Sequence, residues 1–439
     1  MMYHPPAKLS GLRSTDNFQT SFRSHGHQFL SSDWFVLGGA ILLGVLIPEI
    51  FHPWVMAHFG NEGAGTILGI EAALVGSIAA ITIGHVSLSR FTSLPTIDAK
   101  TYILPAFLMG YAGVLSGLYL LNILFGRYHF VVSFGIVVAW YFALVVVRAR
   151  NVRTRVAIVG SGPHPIMKAA PGIDWVELDM PFLVDEVSAI VVDTRKHLAP
   201  EWEHFIAQAV LAGIPVHDSR YMLEALTQRV EIKHMADNSF GSLLPAMFYI
   251  RVKRVIDVVA AVPALMLVAP VILIIGILIS LESKGSPIFR QKRTGFRGKP
   301  FTFYKLRSMR NGHDGPHFTQ DDDARVTRIG TFIRRHRIDE LPQIWNIVRG
   351  DMSWIGPRPE AVELAELYEQ QIPYYVYRHA VRPGISGWAA VNQGNVAQVD
   401  AAMIKLGYDF FYIRHCSLWL DALIFLKSIS TVITGFGSR

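Results

Sequence analysis

Four apolar runs follow one another early in the chain, at about Trp34–Met56, Thr66–Val86, Thr101–Leu124 and His129–Val147. Each approaches the ~20 residues a helix needs to cross a hydrocarbon core. Short loops join them, so the pattern predicts a four-helix transmembrane bundle over 34–150 rather than buried core helices. Basic residues alternate across the loops. Lys8, Arg13 and Arg23 precede the first run, while the loop through His58 and Asn61 carries no Lys or Arg. Arg90 and Lys100 lie between the second and third runs, and only Arg127 between the third and fourth. Arg148, Arg150, Arg153 and Arg155 follow the fourth. The positive-inside bias then places segment 1–33 and everything after Arg148 in the cytoplasm. Glu71 and His85 fall within or at the end of the second run. No other run offers a clear partner, so helix packing is preferred to transport as their use.

After Arg155 the texture changes. R-V-A-I-V-G-S-G-P-H-P is an apolar strand ending in a glycine turn, and Val187–Asp193 reads as a second buried strand. Glu201–Ala212 reads as a helix and Gly213–Asp218 as a further strand. Strands alternating with helices predict a small parallel α/β domain, about 155–240. Gly160-Ser161-Gly162 is part of a dinucleotide fingerprint, but Pro165 replaces its third glycine. A degenerate Rossmann-like scaffold over 151–245 is therefore preferred to a nucleotide site.

A fifth apolar run occupies 251–281. Pro263 and Pro270 interrupt it, and both flanks are basic: Arg251, Lys253 and Arg254 before, Lys284, Arg290, Lys292 and Arg293 after. Proline removes a helical hydrogen bond and bends the axis. A helix broken near Ala269-Pro270, entering and leaving by one leaflet, satisfies the bends and keeps both flanks cytoplasmic. At the C-terminus, Ser417–Thr434 suits either an amphipathic helix in the interface or core packing.

Composition agrees with this layout. The chain has 439 residues, 51% hydrophobic and 17% charged. One cysteine, Cys416, excludes a disulfide framework. The net charge of +7 fits nucleic acid, anionic lipid or phosphorylated substrates. Few aromatics interleave with the arginines, and membrane elements flank them, so no nucleic-acid partner is expected.

The chemistry concentrates in the last third, in the catalytic region 246–439. Asp339 and Glu340 sit between Arg334, Arg335 and Arg337 on one side and Arg358 on the other, with Lys305, Arg307 and Arg382 elsewhere in the region. Pro and Gly flank Arg358 and Arg382, which places both on tight loops, and guanidinium forks bind phosphate oxygens bidentately. Asp339 is positioned to cap a helix whose apolar face is Leu341, Ile344, Trp345 and Val348. An ionised carboxylate among phosphate-binding cations can attack phosphorus, and its neighbour can activate an acceptor or hold a divalent metal. A capping pair with surface ion pairs explains the same residues equally well.

In order along the chain stand Asp257 to Pro270, K-L-R-S-M from Lys305, D-E-L-P-Q from Asp339, R-G-D-M-S from Arg349, G-P-R-P from Gly356 and R-P-G-I-S-G-W from Arg382. Together they resemble the bacterial sugar transferase family, the monotopic phosphoglycosyl transferases that start exopolysaccharide and O-antigen assembly. The bundle and α/β domain resemble the long form of that family, and Lys405 to Ile413 its exopolysaccharide-type members. The resemblance implies a membrane protein of mixed α and α/β class, with an α-rich catalytic domain. It implies transfer of sugar-1-phosphate from a nucleoside-diphosphate sugar to undecaprenyl phosphate, with magnesium, at the bacterial inner membrane. Carried over by position, Asp339 is the nucleophile and Glu340 its partner, and both are metal ligands. Lys305, Arg334, Arg358 and Arg382 would hold phosphates, Asp409 matches an acidic active-site position, and Ala269-Pro270 the helix break. Homodimerisation is a further expectation. The chain reads G-W-A-A-V-N-Q-G-N from Gly387 where the family commonly reads G-W-A-Q-V-N-G-R-N, so Ala390 replaces a glutamine in a loop expected to contact donor. An oxidoreductase would need a full glycine fingerprint and a Tyr-x-x-x-Lys pair, which are missing. A non-catalytic membrane scaffold or sensor is the alternative reading.

Overall fold

The computed structural model describes residues 32–59, 67–92, 99–123, 125–151, 155–160, 164–182, 187–195, 197–232, 247–310, 325–393 and 399–434. The chain divides into two compact units, Met1–Thr227 and Gln228–Arg439.

The first unit begins with the four apolar runs as helices: α1 (Asp33–Phe59), α2 (Ile67–Thr92), α3 (Ala99–Leu120) and α4 (Arg127–Asn151). Small residues let them approach. A methyl group on Gly110 of α3 would lie 2.5 Å from the Ala80 carbonyl oxygen of α2, so only glycine permits this crossing. His85 does have a partner on another helix: its Nδ1 shares a 2.7 Å hydrogen bond with the Tyr141 hydroxyl of α4. A second cross-helix polar contact, absent from the sequence reading, joins His129 Nε2 of α4 to Glu49 Oε2 of α1 at 2.8 Å. Polar groups that pair across helices, with His129 and Tyr141 buried, fit the helix-packing role.

The α/β part follows as β1 (Arg155–Val159), α5 (Pro165–Ala169), β2 (Asp174–Leu178), β3 (Ala189–Val192), α6 (Pro200–Leu211), β4 (Val216–Asp218) and α7 (Ser219–Thr227). All pairings in the sheet are parallel, in the order β2-β1-β3-β4. The apolar faces split into two clusters. Val156, Ile158 and Val191 pack with Ile166 and Met222, whereas Ala157 and Ile190 pack with Phe205 and Ile214. The sheet is covered on both faces, as expected of parallel strands. Strand β2, D-W-V-E-L, went unrecognised because its alternation is weak. Gly160 has φ +98°, consistent with a tight turn after β1, while Ser161 and Gly162 lie outside the described residues.

The second unit opens with Gln228–Ile232, which packs here rather than with the sheet. The Trp388 indole donates to the Gln228 carbonyl at 3.0 Å, and Val230 N–H donates to the Gly407 carbonyl at 2.9 Å. Helix α8 (Met247–Glu282) is one helix with Pro263 and Pro270 inside it, so the break expected near Ala269-Pro270 does not occur: each proline removes one hydrogen bond without interrupting the helix. The hairpin β5 (Ile288–Thr294) and β6 (Pro300–Leu306) follows. Next come α9 (Arg328–Arg335), a 3-10 turn (Ile338–Glu340), α10 (Gln343–Arg349), β7 (Ser353–Ile355) and α11 (Val362–Gln371). A longer 3-10 turn (Tyr375–Ala380), β8 (Gly384–Ser386), α12 (Trp388–Asn392), α13 (Val399–Arg414) and α14 (Leu418–Thr434) complete it.

One stripe of α8 lies along this unit. Ala261, Leu265 and Val268 pack on Phe301, Phe303, Ile344, Ile347 and Met352, and farther on Ile272, Ile275 and Ile279 pack against Leu306 and Ile333. The alternating three- and four-residue spacing is that of one helix face. The remaining surface is apolar and open: Val259 is 67% exposed, Met266 72%, Leu267 79% and Leu281 79%. Arg254, near one end, donates to the Ile347 and Val348 carbonyls at 2.6 and 3.0 Å, closing the C-terminus of α10. At the other end, Glu282 accepts from Arg328 N–H at 2.9 Å at the N-terminus of α9. Including α8, five described helices are long and apolar enough to cross a membrane.

Candidate active site

Lys305 lies at the end of β6, two residues after Phe303 and four after Phe301, both buried. Strand alternation turns its side chain to the same inward face. Its ammonium meets Asp339 Oδ2 at 2.5 Å. Asp339 is 2% exposed and belongs to the 3-10 turn, not to a helix cap. Helix α10 begins only at Gln343, with Pro342 at its N-cap and no side-chain cap bond. The capping role expected for Asp339 is therefore wrong: a proline stands between the pair and the helix, and the carboxylate has a lysine instead. The apolar face of α10 also differs, because Trp345 is 46% exposed and Ile347 takes the buried place.

Glu340 points to different cations. Its Oε1 accepts from Arg358 Nη2 at 2.8 Å, with Arg337 Nη1 at 3.8 Å. Arg337 precedes the turn with φ +54°, a left-handed conformation uncommon for a side-chain-bearing residue. Burial raises the energy of the Glu340 carboxylate, but Arg358 and then Lys305 outweigh it and hold its pKa at about 2. Asp339 goes the other way. Burial dominates and raises its pKa, opposed by Lys305 and reinforced by the neighbouring Glu340 charge.

Backbone crossing explains why Arg358 stands where it does. β7 and β8 pair in parallel, Ser353 with Gly384 and Ile355 with Ser386. Gly356 N–H donates to the Ser386 carbonyl at 2.8 Å, and Gly384 N–H to the Pro357 carbonyl at 3.0 Å. A methyl on Gly384 would sit 2.6 Å from the Ile355 carbonyl carbon, so the glycines of G-P-R-P and R-P-G-I-S-G are required for contact. The loop after β7 is then held from outside. Arg293 donates to the Pro359 carbonyl at 2.7 Å, and Arg378 to the Arg358 carbonyl at 2.9 Å.

The predicted residues thus separate into two groups. Lys305, Asp339, Glu340 and Arg358 form one connected set. Asp409 is 1% exposed and joined to Arg378 at 2.8 Å, so it reaches Arg358 only through that arginine and its grip on the loop backbone. Arg382 donates to the Gly350 carbonyl at 3.0 Å and lies over the Phe296 ring, away from the acidic pair's described contacts. The Arg334 side chain makes no ion pair with a described carboxylate, and its carbonyl accepts from Arg337 N–H at 3.1 Å. Ala269 and Pro270 lie inside the continuous α8.

Several residues went unassigned in the sequence. Glu360, next to G-P-R-P, pairs with Lys405 at 2.5 Å; burial raises its pKa, but Lys405 and Arg378 bring it to about 2. Arg378, in Y-V-Y-R-H-A, is buried and carries no motif signature. Gln343 is 1% exposed, yet both its amide atoms lack a hydrogen-bond partner. Its place four residues after Asp339 was the available signal.

A model of the family described as bacterial sugar transferase matches residues 248–435. The UDP-N-acetylgalactosamine-undecaprenyl-phosphate N-acetylgalactosaminephosphotransferase of Aeromonas hydrophila is 40% identical over 370 residues, covering 83% of this chain and 88% of that protein. The chain belongs to the bacterial sugar transferase family. Two UDP-glucose:undecaprenyl-phosphate glucose-1-phosphate transferases align more narrowly. That of Caulobacter vibrioides is 42% identical over 44% of this chain and 74% of its own length. That of Escherichia coli is 42% identical over 43% and 40%.

Among the described residues, the transferase has no cluster of three or more His, Cys, Asp or Glu able to cage a metal. Two adjacent carboxylates nevertheless fit Mg²⁺, which is commonly held by one or two carboxylates, waters and substrate phosphates.

Proposed function

We propose that the enzyme moves a sugar-1-phosphate from a UDP-sugar to undecaprenyl phosphate through a covalent intermediate on Asp339. The observation that carries this reading is the pairing of adjacent buried carboxylates with different cations, Asp339 with Lys305 and Glu340 with Arg358. Incoming diphosphate competes for the Lys305 ammonium and releases an Asp339 oxygen beside phosphorus. The carboxylate attacks the phosphorus bearing the sugar, the bridging P–O bond breaks, and UMP leaves with that oxygen. An oxygen of undecaprenyl phosphate then attacks the acyl-phosphate. The Asp339–phosphorus bond breaks, regenerating the carboxylate and giving undecaprenyl-diphosphate sugar. Phosphate nucleophiles need no general base, and Glu340, with a pKa of about 2, serves as a fixed anion. Asp339 and Glu340 would hold Mg²⁺, which offsets phosphate charge when bound.

Helix α8 supports a membrane-dipped site. At 1.5 Å per residue, Arg254 and Glu282 are about 40 Å apart along one helix. Both cap helices of the same compact unit. A helix crossing the ~30 Å core between these anchors would put them on opposite sides. Both ends therefore stay on the cytoplasmic side of the inner membrane, with the exposed stripe embedded in one leaflet.

Purified enzyme in nanodiscs with radiolabelled UDP-glucose, UDP-galactose, UDP-GlcNAc or UDP-GalNAc tests the chemistry. Without acceptor, one sugar-phosphate should attach at Asp339, seen by mass spectrometry. Asp339→Asn should lose the adduct and lower turnover by about 10³-fold or more. Full turnover in that variant refutes the covalent assignment.

A further inference from the structure

A cavity of about 190 Å³ opens beside Glu340. Its walls are largely apolar, with Leu341 and Ile344 on one side and Ile385, Ala390 and Val391 on others, while α14 closes it with Ser428 and Thr431. It is smaller than the about 300–1,000 Å³ typical of a site enclosing a whole drug-sized ligand, so it suits a fragment of a substrate rather than a nucleotide sugar.

The polar groups indicate which fragment. Ser428 donates to the Ile424 carbonyl at 2.7 Å and shares a 2.5 Å hydrogen bond with Ser386. Thr431 donates to the Ser428 carbonyl at 2.8 Å, and Glu340 is engaged by Arg358. The hydroxyls of a sugar ring would bury against walls offering few free partners, which is costly. An apolar chain incurs no such cost. The wall is also continuous with the membrane-embedded helix, because Ile344, Leu341, Trp354 and Ile385 belong to the cluster that packs Ala261, Leu265 and Val268 of α8. On the other side, α14 presents Phe425 and Ile429, 56% and 44% exposed. Arg337 also lines the cavity, supplying a cation where a lipid phosphate would follow its chain.

We propose that this cavity holds the isoprene units nearest the phosphate of the polyprenyl phosphate acceptor, with α12 and α14 setting preference for the prenyl chain. The proposal rests on the two-step reading above and assigns its second half to a separate subsite.

The two half-reactions can be measured apart. Exchange of labelled UMP into UDP-sugar without acceptor reports the donor half, and product formation against varied undecaprenyl phosphate reports the acceptor half. Ser428→Leu and Thr431→Leu fill the cavity from α14, away from the loop expected to contact donor, and unfolding midpoints show that each variant is folded. Both should raise the acceptor KM by about tenfold, the loss of roughly two buried methylene groups. Exchange should stay within about twofold of the parent. Geranyl phosphate, with two isoprene units, should compete with undecaprenyl phosphate on the parent and weakly on both variants. Exchange that falls in step with transfer would assign the cavity to the donor and overturn the proposal. An unchanged acceptor KM in a folded variant would overturn it as well. If the parent shows no exchange, the covalent reading fails, and the acceptor KM still decides the cavity.

Discussion

Replacing Arg358 by Met should strand the Glu340 carboxylate. That group is 7% exposed, with its 2.8 Å partner gone and Arg337 left at 3.8 Å. Two estimates of the penalty agree. The Glu340 pKa is about 2 against an ordinary 4.5, and at about 1.4 kcal/mol per unit its cations outweigh burial by about 3 kcal/mol. Removing one partner of a buried ion pair costs about 3–5 kcal/mol. The sign with pH follows from the depressed folded-state value. Such a group adds stability above its unfolded pKa of 4.5 and loses it as pH falls through about 2. The penalty of Arg358→Met should therefore be about 3 kcal/mol at pH 7 and shrink to about 1 kcal/mol at pH 3. Adding Glu340→Gln removes the stranded charge, so the double variant should be more stable than Arg358→Met alone by about 2 kcal/mol. Urea unfolding of the full chain in nanodiscs, followed by tryptophan fluorescence, measures all three. A penalty under about 1 kcal/mol at pH 7, or one equal at both pH values, refutes the reasoning.

Gln343→Met replaces a buried amide without partners by an apolar group of similar size. It should raise the unfolding free energy by about 1–2 kcal/mol while turnover falls, because on the proposed reading an amide kept at a cost four residues from Asp339 serves a ligand. A destabilised variant with full turnover contradicts this. Burial lowers the Lys427 pKa to about 8 from 10.5, and the ammonium lies 4.5 Å from the centre of the Trp388 ring. A depressed lysine weakens the fold fully below about 8 and not at all above 10.5. Lys427→Met should thus add about 1–2 kcal/mol at pH 7, and the gain should vanish near pH 10.5, as checked by unfolding midpoints across that range.

What could be read from the sequence depended on the range of the interaction. The bundle was legible because each run needs only its own length and hydropathy, and Arg358 was legible as a loop cation because prolines and glycine flank it. Contacts made by folding were not. Nothing near His85 in sequence announces Tyr141, and nothing near Glu49 announces His129, since those pairs form between helices. The capping role of Asp339 was wrong for a local reason: Pro342 sits between the pair and the helix, and the expectation weighed the acidic residue but not the proline. β2 was missed because D-W-V-E-L lacks clean alternation, and its identity rests on pairing with β1 over Asp174–Leu178. Arg378 carries no motif, yet it links Asp409 to the backbone of Arg358.

Adjacent carboxylates in one buried turn would be expected to titrate alike, and these do not. Burial penalises both ions, but at Glu340 Arg358, Lys305 and Arg337 reverse the penalty, whereas at Asp339 Lys305 and the weaker effect of Arg358 do not outweigh burial and the Glu340 charge. The environments therefore fit the roles proposed for the two carboxylates. A carboxylate held near 2 is too weak a base to take a proton at neutral pH, but it is a permanent anion able to support a cation. On the proposed reading, a carboxylate whose pKa is raised by burial is more basic and less solvated, and acts as the nucleophile once its lysine is drawn to a phosphate. The Gly356 and Gly384 backbone crossing fixes Arg358 and Arg358 fixes Glu340, which fits the proposed reading in which Asp339, held by Lys305, is the member of the pair that reacts.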